Sequence, residues 1–179
     1  MKRAYLPLML FIVVVLEGVA LILLPASFLM GQTFIIPHWA LVVLVYIVLF
    51  YDREDTYYAV TYAAIFGLLI DIAYTSVLGV YMFAYASVIF LIQSVKNRFH
   101  GNVYVTMLLG IFSIALADLI VHTIYLLVGL SDITWGVYFL HRMLPSVLLN
   151  LIFLIVLYPL LARRLDRWQQ EQLPGNRSL

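Results

Sequence analysis

Six long apolar runs, separated by short polar or turn-rich stretches, constrain this chain more than any other feature. An α-helix needs roughly 20 residues to cross about 30 Å of hydrocarbon, and the runs approach or exceed that length. Only 11% of the residues are charged, against about a quarter in soluble domains, so lipid must solvate much of the surface. The sequence predicts an all-α, polytopic six-helix transmembrane bundle over residues 1–162 with a short basic tail at 163–179; the runs cover 5–24, 35–51, 57–73, 77–92, 103–130 and 144–162.

The distribution of Lys and Arg predicts the orientation of the bundle, because cytoplasmic loops carry an excess of these residues. The first run is 20 residues long, more than the about 7–15 of a signal-peptide core, so we expect an uncleaved span. Arg142 falls at the outer mouth of the last span. With both chain ends in the cytoplasm, the other nine of the ten basic residues lie inside: Lys2, Arg3, Arg53, Lys96, Arg98, Arg163, Arg164, Arg167 and Arg177.

The stretch 57–92 admits two interpretations, because its two runs are short and both flanking loops are basic. It makes either two full crossings or a re-entrant hairpin. Two crossings are favoured, since irregular backbone exposed to lipid leaves its polar groups unsatisfied.

Six ionisable residues fall within or beside the spans, where such groups are costly and usually face the bundle interior. At about 1.5 Å of rise per residue, they are predicted to share the outer half of the bilayer. One interpretation is a functional cavity, meaning a proton path, a metal site or a small-ligand pocket. The favoured one is an internal lattice of salt bridges and hydrogen bonds. The six are Glu17, Asp71, Asp118, His122, His141 and Arg142.

The positions of these residues along the chain add detail to the lattice and metal-site interpretations. Ala115, Asp118, His122 and Tyr125 recur at intervals of three and four residues, so they share one helix face, which we expect to point inward. In the lattice interpretation, Arg142 neutralises one or two carboxylates. In the metal interpretation, the ligand types are suitable but no spacing fixes their geometry; those ligands would be Glu17, Asp118, His122 and His141.

The sequence lacks the signature motifs of intramembrane proteases and of nucleotide-hydrolysing enzymes. The Gly-Xaa-Gly-Asp signature of aspartyl intramembrane proteases precedes neither Asp71 nor Asp118, and no Gly-Xaa-Ser-Xaa-Gly elbow occurs. There is no Gly-rich phosphate loop with Lys, and cysteine is absent. We therefore expect no enzymatic activity and no cofactor. A net charge of +1 gives no reason to expect nucleic-acid binding.

Small and polar residues suggest how the helices pack. Ala59, Ala63 and Gly67 repeat every four residues, a pattern that lets backbones approach closely, either within the bundle or in a groove for a partner helix. Pro145 opens the sixth span, and Asn150 is an expected interhelical hydrogen-bond donor. The basic tail from residue 163 to 168 is expected to fix topology and to anchor to anionic lipid.

Two stretches of the sequence resemble the MreD family of rod shape-determining membrane proteins. The first, GLLIDIAYTSVLG, begins at Gly67 and ends at Gly79, with Asp71 four residues after its first glycine. The second, PSVLLNL, begins at Pro145 and includes Asn150, and it is followed by YPL from residue 158. Glu17, His122, His141 and Arg142 match no motif of the family.

The resemblance implies a non-enzymatic scaffold in the bacterial cytoplasmic membrane. Proteins of this family are implied to support rod shape and lateral peptidoglycan synthesis by binding MreC, a bitopic membrane protein. Through MreC they connect to a RodA-type synthase, a class B penicillin-binding protein and MreB. The family is similar in fold to the substrate-binding subunits of energy-coupling-factor transporters. The alternative function is therefore a small-solute-binding transporter subunit, with a pocket formed by Glu17, Asp71, Asp118, His122 and Arg142.

Overall fold

The computed structural model of the chain describes residues 5–23, 35–53, 56–96 and 102–171. All the regular structure in those ranges is helical, so the prediction of an all-α chain is confirmed there. A π-helical turn at Phe139–Met143 lies within the last helix. The helices are α1 (Tyr5–Leu23), α2 (Trp39–Phe50), α3 (Tyr58–Tyr74), α4 (Val80–Val95), α5 (Val103–Leu127) and α6 (Trp135–Gln170).

The helices differ in length more than the apolar runs do. Three are long and apolar enough to cross a membrane: α1 with 19 residues, α5 with 25 and α6 with 36. The other three are apolar but shorter, with 12, 17 and 16 residues in α2, α3 and α4. Helix α6 extends beyond the predicted run 144–162 at both ends, because charged residues there end the apolar stretch without ending the helix.

Helix α2 lies at the centre of the described part of the bundle and packs against each of its other five helices. Every side chain from Ala40 to Val48 is fully buried, as expected for a helix that is apolar on all sides. The predicted run starts at residue 35, but the helix starts only at Trp39. Pro37 explains the difference, because a proline disfavours helical backbone at the residue before it. The short helix and its irregular start are tolerated because protein, and not lipid, surrounds them.

Helices α3 and α4 form a closely packed hairpin. Ala59 and Ala63 are fully buried. A Cβ added at Gly67 would lie 2.7 Å from the Met82 Cα and 2.8 Å from the Tyr81 carbonyl oxygen. Because these are backbone atoms of α4, only glycine permits this approach. At Gly67 the stripe of small residues therefore faces a neighbouring helix of the same chain.

The start of α1 and the end of α6 lie at the same end of the bundle. The rings of Tyr5 and Trp168 stack there with their centroids 5.9 Å apart. The Gln169 side-chain amide donates to the Asp52 carbonyl oxygen at 3.3 Å, which brings the loop after α2 to this end as well. Large apolar side chains remain exposed along the outer faces of the helices, as expected of a surface in contact with lipid.

Candidate functional site

Asp71, in the last turn of α3, caps the first turn of α4. Its carboxylate accepts hydrogen bonds from the backbone N–H groups of Gly79, Tyr81 and Met82 at 3.0, 3.0 and 3.1 Å. Gly79 is the N-cap residue of α4 and has no side chain to do this. Its φ of +93° lies in the left-handed region that glycine tolerates best. Asp71 and Gly79 together therefore form the turn between α3 and α4. The negative charge of Asp71 is stabilised there by the partial positive charge at the N-terminus of α4.

Glu17 does the same for α2 from its position on α1. Its carboxylate accepts from the Ala40 N–H at 3.0 Å, and its side chain is only 3% exposed. The N-cap residue of α2, His38, makes no capping bond with its own side chain. Two of the predicted carboxylates are thus used to cap helices that lie beside their own.

The irregular segment before α2 is held by α6. The Ile36 N–H donates to the Ser146 hydroxyl at 2.9 Å, and the His38 N–H donates to the Asn150 side-chain oxygen at 2.7 Å. The Asn150 amide donates in turn to the Ile36 carbonyl at 2.9 Å. These bonds satisfy backbone groups that a helix would otherwise pair internally.

Asp118, on α5, lies at the end of the bundle where α2 starts, and it is the centre of the charged contacts that the structure describes there. Its carboxylate is fully buried and lies 3.2 Å from the Arg142 guanidinium, while the Tyr138 hydroxyl donates to it at 3.0 Å. The His38 ring nitrogen Nε2 lies 3.6 Å from the same carboxylate, too far for a normal hydrogen bond. The other ring nitrogen, Nδ1, is 2.9 Å from the Tyr85 hydroxyl.

The π-helical turn in α6 carries Arg142. Pro145 follows this turn, and a proline inside a helix removes one backbone hydrogen bond and its ring clashes with the carbonyl four residues earlier. Local π-helical winding relieves that conflict. Pro145 therefore accounts for the π-helical winding, and the wound segment sets the position from which Arg142 meets Asp118.

The two histidines predicted near Asp118, His122 and His141, are not part of its ion pair with Arg142. The His122 ring stacks on Tyr138 with centroids 3.9 Å apart and meets the edge of Trp135 at 5.1 Å. No described residue forms a hydrogen bond with either of its ring nitrogens. His141 takes part in none of the contacts described above. Across residues 5–23, 35–53, 56–96 and 102–171, no group of three or more His, Asp or Glu side chains is arranged to hold a metal ion.

Sequence reasoning did not identify His38, Tyr85, Tyr138 or Ser146 as members of this network. One signal was available for Tyr138, which precedes Arg142 by four residues and so shares its helix face. No such spacing links His38 to Asp118, because they meet only when α2 and α5 pack together.

The opposite end of the bundle is closed by a second set of caps. The Lys96 ammonium donates to the carbonyl oxygens of Val48, Asp52 and Arg53 at 3.1, 2.8 and 3.2 Å, just after and within the end of α2. The Asp52 carboxylate accepts from the Ala59 N–H at 2.8 Å, in the first turn of α3. Burial raises the pKa of the Asp52 carboxyl to about 6, although the Ala59 N–H and the Lys96 charge favour its ionised form.

The arrangement as a whole commits polar groups to holding the helices together. The carboxylates of Glu17, Asp71 and Asp118 all have partners within the protein. Asp71 and Asp118 bond to different partners, and no hydrogen bond connects them. This geometry favours an internal lattice over an open cavity or a pair of carboxyls that share a proton.

Comparison with known proteins gives the family. The profile described as rod shape-determining protein MreD matches residues 2–166. The rod shape-determining protein MreD of Bacillus subtilis (strain 168) is 30% identical over 157 residues, which are 88% of this chain and 90% of that protein. No solved structure matches the chain. The chain therefore belongs to the MreD family of rod shape-determining membrane proteins.

Proposed function

We propose that the chain is a non-catalytic scaffold of the cell-wall elongation machinery that acts by binding a bitopic, MreC-like membrane protein. Through that partner it connects to a RodA-type synthase, a class B penicillin-binding protein and MreB, and so supports lateral peptidoglycan synthesis. Membership of the MreD family supports the role in cell shape. The partners follow from the resemblance given above.

One structural observation carries the scaffold proposal. The buried carboxylates are taken up by caps and by an internal ion pair, while the outer helix faces are apolar and exposed. A partner must then be recognised mainly through helix faces, by packing in the plane of the membrane. The solute-binding alternative would need Glu17, Asp71 and Asp118 to turn from their present partners toward a ligand, so the scaffold is preferred.

The proposed topology has six crossings, with both termini in the cytoplasm of a bacterium. Arg53 and Lys96 lie at the same end of the bundle as the start of α1 and the end of α6. Arg142 lies at the other end, beside Asp118. This separation of basic residues supports the orientation. Helices α3 and α4 run between the two capped ends, which supports two crossings for 57–92.

Photocrosslinking in cells tests the scaffold. A photoreactive residue is placed at exposed positions on α3 (Ile65 and Ile72) and on α5 (Leu108 and Phe112), one at a time. We expect adducts with a single-span, MreC-like protein along one of these faces and not the other. If no position on either face captures a single-span protein in cells whose rod shape depends on the labelled chain, the scaffold proposal is wrong.

A double substitution separates the scaffold from the solute-binding subunit. Asp118→Asn with His122→Gln leaves the exposed helix faces unchanged but alters the buried network. For a scaffold, partner capture should fall only as far as the amount of folded protein falls. The solute-binding function would gain support if capture and cell shape persisted while the purified chain lost binding of a solute.

A further inference from the structure

A groove runs between α1 and α6 at the end of the bundle where α1 starts and α6 ends. Its volume is about 530 Å³. The walls are apolar and include Leu8 and Ile12 from α1 and Leu161 from α6. Tyr5, Trp168 and Arg164 also line it, and the stacked Tyr5 and Trp168 rings join the two helices.

Among the described residues that line the groove, Arg164 is the one that carries a charge. Its guanidinium carbon lies 5.8 Å from the centre of the Trp168 ring, and its side chain is exposed. Within the described residues no salt bridge pairs it with a carboxylate, and its guanidinium lies over this ring. The guanidinium can bind a negatively charged head group, and the apolar cleft beside it can bind a hydrocarbon tail. The groove therefore suits an amphiphile with a negative head group.

We propose that this groove binds one anionic phospholipid of the cytoplasmic leaflet, with its phosphate at Arg164 and an acyl chain along the α1–α6 cleft. Basic pockets between transmembrane helices on the cytoplasmic side are known to bind anionic head groups. The proposal uses the topology proposed above, and it does not depend on which protein partner the scaffold binds.

The size of the groove separates a lipid from a partner helix. Small-molecule sites enclose about 300–1,000 Å³, and this groove falls within that range. A helix about 10 Å across fills roughly 400 Å³ for each 5.4 Å turn, so the groove has room for little more than one turn. A spanning helix would therefore leave most of its surface outside, whereas an acyl chain is thin enough to lie along the groove in contact with both helices.

The neighbouring residue Arg163 offers a matched control. It carries the same charge one position earlier, but it lines a different cleft, together with Phe50, Tyr158 and Asp166. Substituting either arginine with Gln removes one positive charge from the same exposed turn of α6. Only Arg164→Gln should affect a lipid bound in the α1–α6 groove.

Quenching of Trp168 fluorescence by brominated lipid tests the proposal. The full chain, with Trp39 and Trp135 replaced by Phe, is placed in phosphatidylcholine vesicles that contain a small fraction of brominated phosphatidylglycerol or brominated phosphatidylcholine. We expect the anionic lipid to quench Trp168 several-fold more at equal mole fraction. Arg164→Gln should abolish this preference, and Arg163→Gln should keep it.

Four results would overturn the proposal. Equal quenching by the two lipids in the chain that retains both arginines would show that the groove does not select an anionic lipid. Equal loss of preference in both arginine variants would show attraction by diffuse charge. Shielding of Trp168 from both lipids, with a dimeric mass for the purified chain, would show that a second copy covers the groove. In cells, a photoreactive residue at Leu8 that captures a protein would identify a partner helix as the occupant.

Discussion

Replacing Asp71 with Ala should destabilise the bundle at one identifiable place, the first turn of α4. The substitution removes the acceptor of three backbone hydrogen bonds. The bond to the Tyr81 N–H is buried, so the unpaired group left there costs about 1–3 kcal/mol. The bonds to Gly79 and Met82 are part-buried, and water that replaces the acceptor lowers their cost to roughly 0.5–1.5 kcal/mol each. The expected loss is therefore about 4 kcal/mol of unfolding free energy.

Two measurements check this value and its location. Unfolding by dodecyl sulfate in mixed micelles, followed by far-UV circular dichroism, gives the change in free energy. Amide hydrogen exchange then shows where the protein opens, and 4 kcal/mol corresponds to about a thousand-fold change in an opening equilibrium. We expect faster exchange at Gly79, Tyr81 and Met82 than in the middle of α5.

Asp132→Asn is the matched control, because Asp132 is an exposed aspartate in the loop between α5 and α6. Its unfolding free energy should change by less than about 0.5 kcal/mol. The reasoning is refuted if Asp71→Ala changes stability no more than Asp132→Asn does, or if exchange rises evenly over all helices. Loss of cell shape at normal stability and abundance would instead assign Asp71 a functional role.

Three further predictions concern other parts of the bundle. Gly67→Ala should lower the unfolding free energy by about 1–3 kcal/mol, because the new methyl group forces α3 and α4 apart, whereas Gly136→Ala, with open space around its Cβ, should not lower it. Because the folded pKa of Asp52 lies above its unfolded value, its contribution to stability is complete below pH 3.8 and is lost as pH rises through about 6, so Asp52→Asn should flatten stability measured across that window. Asp118→Leu should cost about 3 kcal/mol by leaving the partly buried Arg142 without its partner, and adding Arg142→Met should restore part of that loss, as a double-mutant cycle of unfolding free energies would show.

The sequence predicted the apolar helices well because burial in lipid leaves a signal that is local along the chain. Length and hydrophobicity identified approximately the six helices of the residues that the structure describes. The start of α2 was placed four residues too early, because the effect of Pro37 on backbone geometry outweighed continued hydrophobicity. The ends of α6 were missed for the opposite reason, since a helix continues through charged residues where its backbone bonds are satisfied.

The polar residues were identified as inward-facing, but their individual tasks were not predictable. Glu17 and Asp71 were grouped with Asp118 because they lie at similar depths. In the structure, Glu17 instead caps the N-terminus of α2 and Asp71 caps the N-terminus of α4. Whether a buried carboxylate meets a guanidinium or a row of N–H groups depends on how neighbouring helices cross, and no spacing along the chain encodes that. The same reason explains why His38 was missed.

The way α2 is anchored has a consequence for biosynthesis. Acceptors for the backbone before α2 come from Ser146 and Asn150, which the ribosome adds more than a hundred residues after Ile36 and His38. Until α6 enters the membrane, the segment before α2 lacks the acceptors for the N–H groups of Ile36 and His38. Chains that terminate early therefore keep a loosely held central helix, and we expect membrane quality-control proteases to remove them faster than complete chains.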